Sequence, residues 1–273
     1  MNDKAVTFSV IVPMYNGEKT VVRAVQSAIE QKFPPIEIIV IDDQSTDGGP
    51  ELIEKLSRFS DVSIILIRIT KNSGPGNARN VGLKAAKGSH IAFLDSDDHW
   101  SIWHLEVAKK IIAQRDELTI LAHRPYLEGQ SIPSAEHFEK EVSNPTFNVT
   151  SILKLALIQG YGSSSVIIPR TIALKTGGFP IDRKYGEDFE YYLKIAMSEV
   201  HWINIQAPRT AILGQHFYLS TSGLSSQHWQ MHKGMLVALN RALLGTPLRW
   251  TLPFLHIWHW LKFARRMILV SLA

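Results

Sequence analysis

Three carboxylates fall within four residues of the chain, at Asp95, Asp97 and Asp98, directly after the apolar segment 90–94. Carboxylates this close repel one another unless a cation neutralises them, and hard oxygen ligands select Mg²⁺ or Mn²⁺. Acids are also favoured where a helix begins, and Asp97 and Asp98 precede a helical pattern. The position after a buried strand, beside a second acidic loop, favours the metal site.

Two other polar segments have residue types suited to a nucleotide. Asp42 and Asp43 follow a second apolar segment, and one carboxylate can accept a hydrogen bond from a base or a ribose, although turn chemistry explains the same acids. The glycines of 74–76 (GPG) suggest a phosphate-binding loop. They do not form the dinucleotide fingerprint, which should follow the first strand, where residues 13–16 (PMYN) stand instead. A nicotinamide-type enzyme is therefore disfavoured.

Apolar periodicity indicates the elements that must position these residues. Strand patterns fit 8–13, 36–41, 62–69 and 90–94, with helical patterns at 20–31, 50–59 and 77–87 between them. Regular alternation predicts an α/β fold with a doubly wound, parallel sheet. Ligands of open α/β sheets lie beyond the carboxyl ends of the strands, so the polar segments are expected to converge on one crevice.

The rest of the chain is less regular. Helical patterns fit 104–115, 149–158, 188–197 and 227–244, and strand patterns fit 118–122, 164–168 and 201–205. The chain has no cysteine, which excludes disulfides and thiolate metal sites. Because the first residues lack a signal-peptide pattern and no apolar run reaches about 20 residues, we expect a cytoplasmic protein without a spanning helix.

Charge is unevenly distributed, since residues 200–273 carry seven Lys or Arg and no acid. On a helix over 252–273, His256, His259, Lys262 and Arg266 form a polar stripe, and tryptophans lie nearby. Such a segment is typical of a helix lying in an anionic membrane interface. The alternative is a helix packed on the catalytic domain with its basic stripe in solvent. No recognised motif accompanies the charge, so nucleic acid is not expected as a partner.

Five segments in order carry a resemblance to a known family. They read PMYN, VIDDQSTDGG, NSGPGNARNVGLKAAKG, IAFLDSDD and GEDFEYYLK. Together they resemble glycosyltransferase family 2 over residues 8–220. The resemblance implies the GT-A fold, a Rossmann-like, mostly parallel central sheet flanked by helices, here followed by a basic helical extension. It divides the chain into a nucleotide-sugar-binding half at 1–100, an acceptor-binding and catalytic half at 101–225, and the extension at 226–273.

The resemblance also implies roles for residues of the first half. Pro13, Tyr15 and Glu18 would line the pocket of the nucleotide base, and Asp43 would bond the base. Arg79, on the first turn of the third helix, would lie near the nucleotide, although pairing with Asp42 or Asp95 is an alternative. Asp95 would approach the ribose or the metal, and Asp97 with Asp98 would hold Mn²⁺ or Mg²⁺. Gln44 stands where the family usually has glycine, which should alter the turn slightly.

In the second half, Glu187 and Asp188 match an acidic pair of the family whose aspartate is the catalytic base. From the residues alone they could simply compensate a helix dipole. Inverting transfer nevertheless needs a carboxylate within reach of the acceptor hydroxyl. His216 lies in a polar segment that in related enzymes often closes over the donor, and it is a candidate near the metal, although the sequence favours a satisfied or surface histidine.

We therefore expect an inverting, metal-dependent glycosyltransferase. It would move sugar from a nucleotide-diphosphate donor, a UDP-sugar, to a glycan or lipid-linked acceptor in surface polysaccharide synthesis, at the inner membrane face. A sugar-nucleotidyltransferase is an alternative, but it needs a basic, glycine-rich loop after strand one that PMYNGEKT does not supply. A non-catalytic, membrane-associated sugar-nucleotide-binding protein is another, and the presence of Asp97 and Asp188 argues against it.

Overall fold

The structure is a computed structural model. It describes residues 6–115, 119–123, 126–127, 143, 145–149, 151–158, 162–198, 200–207, 211–213 and 227–271. The strands are β1 Phe8–Met14, β2 Glu37–Asp42, β3 Ser63–Arg68, β4 His90–Phe93, β5 His99–Trp100, β6 Thr119–His123, β7 Tyr126–Leu127, β8 Thr146–Val149, β9 Val166–Pro169, β10 His201–Ala207 and β11 Ala211–Leu213. The helices are α1 Val21–Ile29, α2 Gly49–Ser57, α3 Pro75–Ala85, α4 His104–Ala113, α5 Ile152–Ile158, α6 Arg170–Lys175, α7 Glu187–Ala196, α8 His228–Leu243 and α9 Leu252–Ser271.

An eight-stranded sheet in the order β3-β2-β1-β4-β9-β6-β10-β8 organises the fold. The first four strands are parallel, and β9 is antiparallel to both of its neighbours. The chain returns on opposite sides of β1, to β2 and to β4, which creates a topological switch point where ligands of α/β sheets bind. The predicted α/β fold with a mostly parallel sheet flanked by helices is confirmed.

The sheet is buried on both faces, which explains why β1 is apolar almost throughout and has no exposed position. Ile11 packs toward α3, α7 and α8, whereas Val10 and Val12 pack toward α1 and α4. This alternation places helices on both sides of the strands and leaves the strand ends as the place where polar loops can gather.

All seven elements predicted in the first hundred residues are present with the expected type and with ends shifted by a few residues, and the two-residue strand β5 was not predicted. Beyond them, the pattern at 164–168 is divided between a 3₁₀ turn at Ser163–Ser165 and strand β9. Strand β8 and helix α6 were not predicted, because four and six residues are too few to display a period.

Helix α9 packs back onto α8 and α5, so the C-terminal helix is present as expected. The expectation that a packed helix would leave its basic stripe in solvent is wrong. His259 is buried, with Nε2 2.9 Å from the carbonyl oxygen of Ala156, and Lys262 donates to the carbonyl of Leu157 at 3.3 Å. The last carbonyls of a helix lack intrahelical partners, and those of α5 attract the stripe inward.

In the described part of the chain, no helix is both long enough and apolar enough to cross a membrane.

Candidate active site

The loops after β1 and β2 are bonded directly to each other. The side-chain carbonyl of Asn16 accepts the backbone N–H of Thr46 at 2.9 Å, and the N–H of Asn16 donates to the Ser45 hydroxyl at 2.8 Å. Asp47 accepts the N–H of Glu18 at 2.8 Å. These bonds fix the two loops to each other at the rim of the crevice.

Gln44 has a φ of 67°, in the left-handed region that glycine favours. The turn therefore keeps the backbone conformation that a glycine would take at this position. The Gln44 side chain adds a contact, because its oxygen accepts the N–H of Asn72 at 3.0 Å. The substitution thus joins the loop after β2 to the segment that precedes α3.

Asp43 is buried and holds the start of α3. Its two carboxylate oxygens accept the N–H groups of Ser73 and Gly74, at 2.9 and 2.7 Å. Gly74 has a φ of 86°, which lets both amides point at one carboxylate. Each oxygen retains a second lone pair, which could accept a further hydrogen bond. The expected bond from Asp43 to a nucleotide base stays a prediction.

The other residues expected around the base differ in exposure. Pro13 is buried inside β1, where it pairs with Ile41. Tyr15 is 54% exposed just past the strand end, and the Glu18 side chain lies exposed beside Gly48. Tyr15 and Glu18 thus present surface at the crevice, whereas Pro13 shapes it from beneath.

Arg79 is the buried cation of the site. Its guanidinium lies 2.6 Å from Oδ1 of Asp95 and 3.4 Å from Oε1 of Glu187, so it joins the loop after β4 to the first turn of α7. Burial opposes the charge, but Asp95, Glu187 and Asp188 outweigh that effect and raise the pKa of Arg79 above its ordinary value. Of the two acids considered as partners of Arg79 from the sequence, Asp42 and Asp95, the structure pairs it with Asp95.

Glu187 and Asp188 are neighbours at the N-terminus of α7. Burial raises the pKa of Glu187 to about 7, with the Asp188 charge adding to the effect and Arg79 opposing it. Burial also raises the pKa of Asp188, while Arg79 limits the rise. Two acids beside one cation therefore hold protons more tightly than free carboxylates, which is the property of a group that exchanges protons near neutrality.

Two glycines place this acidic pair. Gly186 directly precedes α7 with a φ of 71°, and Gly234 of α8 lies against it. A Cβ on Gly234 would stand 2.4 Å from the carbonyl oxygen of Tyr185, closer than real atoms approach. The close contact between Gly234 and Tyr185 therefore fixes the position of the first turn of α7, which carries Glu187 and Asp188. Gly234 gave no signal in the sequence, because a glycine within a helical pattern reads only as a weak breaker.

The acidic cluster after β4 separates in three directions. Asp95 pairs with Arg79, Asp98 is buried and accepts the Ser164 hydroxyl at 2.5 Å, and Asp97 is exposed. The sequence-based argument that only a bound metal could relieve the repulsion among the three carboxylates is therefore corrected. The carboxylates point apart, and Arg79 and the Ser164 hydroxyl bind two of them. Across the described residues, the structure brings together no group of three acidic or histidine side chains that could hold a metal.

The donor set still fits a divalent ion that takes few protein ligands. Mg²⁺ commonly binds one or two carboxylates and completes its shell with substrate phosphates. Asp97 offers an exposed carboxylate, and Asp98 would share its oxygens with Ser164. The assignment of Asp97 and Asp98 as metal ligands stays a prediction, and His216 lies outside the described residues.

Ser164 was missed by the sequence reasoning, although it connects two predicted site residues. Its hydroxyl accepts the N–H of Asp95 at 2.9 Å and donates to Asp98, and its carbonyl accepts the indole N–H of Trp100. The neighbouring Ser163 accepts the hydroxyl of Tyr192 at 3.1 Å. A run of three serines reads as a loop in sequence, and only the fold brings it beneath the acidic cluster.

A parallel sheet with a switch point, and acids and a cation gathered at its strand ends, defines an α/β protein with a ligand-binding crevice at that edge of the sheet. Residues 9–154, more than half of the 273-residue chain, match the profile of Glycosyl transferase family 2. The chain belongs to this family and is a glycosyltransferase.

Curated relatives agree with the family. The Escherichia coli UDP-Glc:alpha-D-GlcNAc-diphosphoundecaprenol beta-1,3-glucosyltransferase WfaP is 31% identical over 222 residues, 81% of each chain. The Staphylococcus aureus Poly(ribitol-phosphate) beta-N-acetylglucosaminyltransferase TarS is 30% identical over 225 residues, which span 81% of this chain and 36% of that protein.

Solved structures share the fold. S. aureus TarS 1-349 in complex with UDP-GlcNAc superposes with a TM-score of 0.70 at 22% identity, covering 96% of this chain and 72% of that one. The mannosyltransferase PcManGT from Pyrobaculum calidifontis, in complex with GDP-Man and Mn²⁺, gives 0.66 at 19% identity, covering 99% and 76%. These likenesses confirm the GT-A fold.

Proposed function

We propose that the chain transfers sugar from a UDP-sugar to a hydroxyl of a glycan or lipid-linked glycan, with inversion, in synthesis of a bacterial surface polysaccharide. Family membership supports sugar transfer. The donor and acceptor classes rest on the names of WfaP and TarS and on the TarS complexes with UDP and UDP-GlcNAc. The observation that carries the proposal is the Arg79 bridge, which joins Asp95 on the donor side to Glu187 beside the candidate base.

The donor half of the proposed site lies at the ends of β1, β2 and β4. Tyr15 supplies an exposed ring for the base, with Pro13 beneath it and Glu18 at the rim. Asp43 faces the base from the loop that it holds, and Asp95 faces the ribose while Arg79 fixes its carboxylate.

A divalent ion, Mn²⁺ or Mg²⁺, would be held by Asp97 and Asp98 together with the donor diphosphate. When bound, it offsets the charge that develops on the departing diphosphate. The Mn²⁺ complex of PcManGT is consistent with this expectation. His216 is proposed as an additional candidate ligand.

Asp188 is proposed as the general base. Its carboxylate accepts the proton of the acceptor hydroxyl while that oxygen bonds the anomeric carbon from the face opposite the leaving group. The bond from that carbon to the diphosphate breaks, and its electron pair leaves with UDP. The raised pKa of Asp188 supports this role, because a base with a pKa nearer the working pH takes a proton more effectively. Glu187 keeps Arg79 in place beside it.

The sheet supports two halves within one catalytic domain. Strand β9, from the second half, pairs with β4 of the first, so residues 1–100 and 101–225 share one sheet. We assign donor binding to the former and acceptor binding to the latter, and treat 226–273 as the basic helical extension. A lipid-linked acceptor further suggests that the enzyme works peripherally at the inner face of the cytoplasmic membrane.

The test is UDP release from UDP-Glc, UDP-GlcNAc and UDP-Gal, with Mn²⁺, Mg²⁺ or EDTA and a lipid-linked acceptor. Asp188→Asn should reduce transfer by about 10²–10⁴-fold, the usual contribution of a general base, with UDP binding by calorimetry unchanged. Asp182→Asn is the matched control, because Asp182 lies on the surface in a pair with Arg241. Full transfer by Asp188→Asn would exclude Asp188 as the base, and equal rates in EDTA would exclude the metal.

A further inference from the structure

The outward side of α9 is apolar. Phe254, Ile257, Leu261 and Ile268 are each more than half exposed, Phe254 at 76%. At about 100° per residue these four positions fall within about 60° of one another on the helix. Trp250, in the turn before α9, is 73% exposed. An exposed apolar stripe of this length marks an interaction surface rather than scattered surface residues.

The charge around this stripe is of one sign. Arg249 and Arg265 are exposed. No acid occurs anywhere in residues 200–273. A second copy of the chain, docked through the same face by a two-fold axis, would bring these cations against one another without acids from this segment. An anionic surface complements them, and aromatic residues with arginine are typical of helices that lie in a lipid interface.

The stripe also lies close to the proposed base. The inward side of α9 places His259 against Phe189, with ring centroids 5.9 Å apart, and Phe189 directly follows Asp188. A surface touching the outward side of α9 is thus separated from the start of α7 by the width of α9, about 10 Å, and by the contact between the His259 and Phe189 rings. That distance suits an acceptor whose sugar stands above a membrane.

We propose that the outward face of α9, formed by Phe254, Ile257, Leu261 and Ile268 with Trp250 and Arg265, lies on an anionic lipid bilayer. The apolar side chains enter the boundary between headgroups and acyl chains, while the cations bind lipid phosphates. The inference rests on the proposed function only for the purpose of this face, which is to bring Asp188 close to a lipid-linked acceptor. The histidines of α9 do not take part, since they face the protein.

The test is flotation of the full chain with two kinds of vesicle. One is phosphatidylcholine alone, and the other is phosphatidylcholine with about 30% of the anionic lipid phosphatidylglycerol. The wild type should float with the anionic vesicles and be released by salt. Phe254→Ser/Leu261→Ser should weaken binding by on the order of a hundredfold, because two large apolar contacts are lost. Arg265→Gln should weaken it about fivefold, as expected for one cation near an anionic surface.

Matched controls come from a distant part of the chain. Phe59 is 82% exposed and Arg58 is exposed beside it, so Phe59→Ser and Arg58→Gln remove the same side-chain types elsewhere and should leave flotation unchanged. The proposal is overturned if wild type does not bind anionic vesicles, or if the α9 variants bind as well as the controls. It is also overturned if light scattering shows a dimer that the α9 variants break while vesicle binding is absent.

UDP binding, measured by calorimetry without lipid, separates this proposal from the proposed function. Failure to float with normal UDP binding rejects the membrane surface alone. Normal flotation with no transfer from any UDP-sugar rejects the function alone.

Discussion

Replacement of Arg79 tests whether the site depends on one buried cation. Arg79 is 6% exposed and lies between Asp95 and Glu187, at 2.6 and 3.4 Å. In Arg79→Met these acids lose their shared partner, and breaking a buried ion pair from one side costs about 3–5 kcal/mol. Because a domain is stable by only about 5–15 kcal/mol, this loss should be plain in urea unfolding.

The same variant should move the pH dependence of activity. Arg79 lowers the pKa of both Glu187 and Asp188, so its removal raises both values. A base must be ionised to accept a proton, so the acidic limb of the rate profile should shift to higher pH. Arg79→Lys keeps the charge but not the planar fork, and a single ammonium holds both acids less well. It should therefore fall between wild type and Arg79→Met in both measurements.

Arg68→Met is the control. Arg68 also contacts two acids, Glu51 and Glu54, at 3.0 and 2.9 Å, but it is 48% exposed on the surface. Surface pairs contribute little because water screens them, so this variant should unfold and titrate like wild type. If Arg79→Met loses no more stability than Arg68→Met and keeps the wild-type pH profile, the bridge is not the organising element of the site.

Three further predictions concern residues around the bridge. Glu187→Gln should be more stable than wild type at pH 8.5 and similar at pH 5 in urea unfolding: the folded pKa of about 7 exceeds the unfolded value of about 4.5, so wild-type stability falls as pH rises between them. A less stable variant at pH 8.5 would contradict this reasoning. Ser164→Ala should lose about 1–3 kcal/mol and raise the KM for donor, because the Asp95 N–H and an Asp98 oxygen lose their partner. Ser165→Ala removes only a local bond to Gly162 and should show neither effect, so equal effects would refute the role of Ser164. Gly234→Ala should lower both the melting temperature and kcat by displacing the start of α7, whereas Gly245→Ala, with open space around its Cβ, should change neither. Unchanged kcat in Gly234→Ala would show that the glycine contact does not place Asp188.

The α/β fold and the identity of most candidate residues followed from sequence because they depend on local pattern. Buried parallel strands are continuous apolar runs, and β1, β2 and β4 each lead into polar loops whose convergence follows from the geometry of a parallel sheet. The short elements of the second half were less predictable, since β8, α6 and the serine turn are too short to show a period.

What the tertiary structure decided is which groups meet. The sequence contained Arg79, Asp95, Glu187 and Asp188, but positions 108 residues apart along the chain are joined only because the fold brings the first turn of α7 against α3 at the strand ends. The sequence also contained three acids after β4. Their side chains point apart because Asp98 binds Ser164 and Asp95 binds Arg79, and only the fold brings these partners to them. The periodicity of α9 likewise defined a polar side and an apolar side. Which side faces the protein depended on the unpaired carbonyls at the end of α5, and those are a property of the fold.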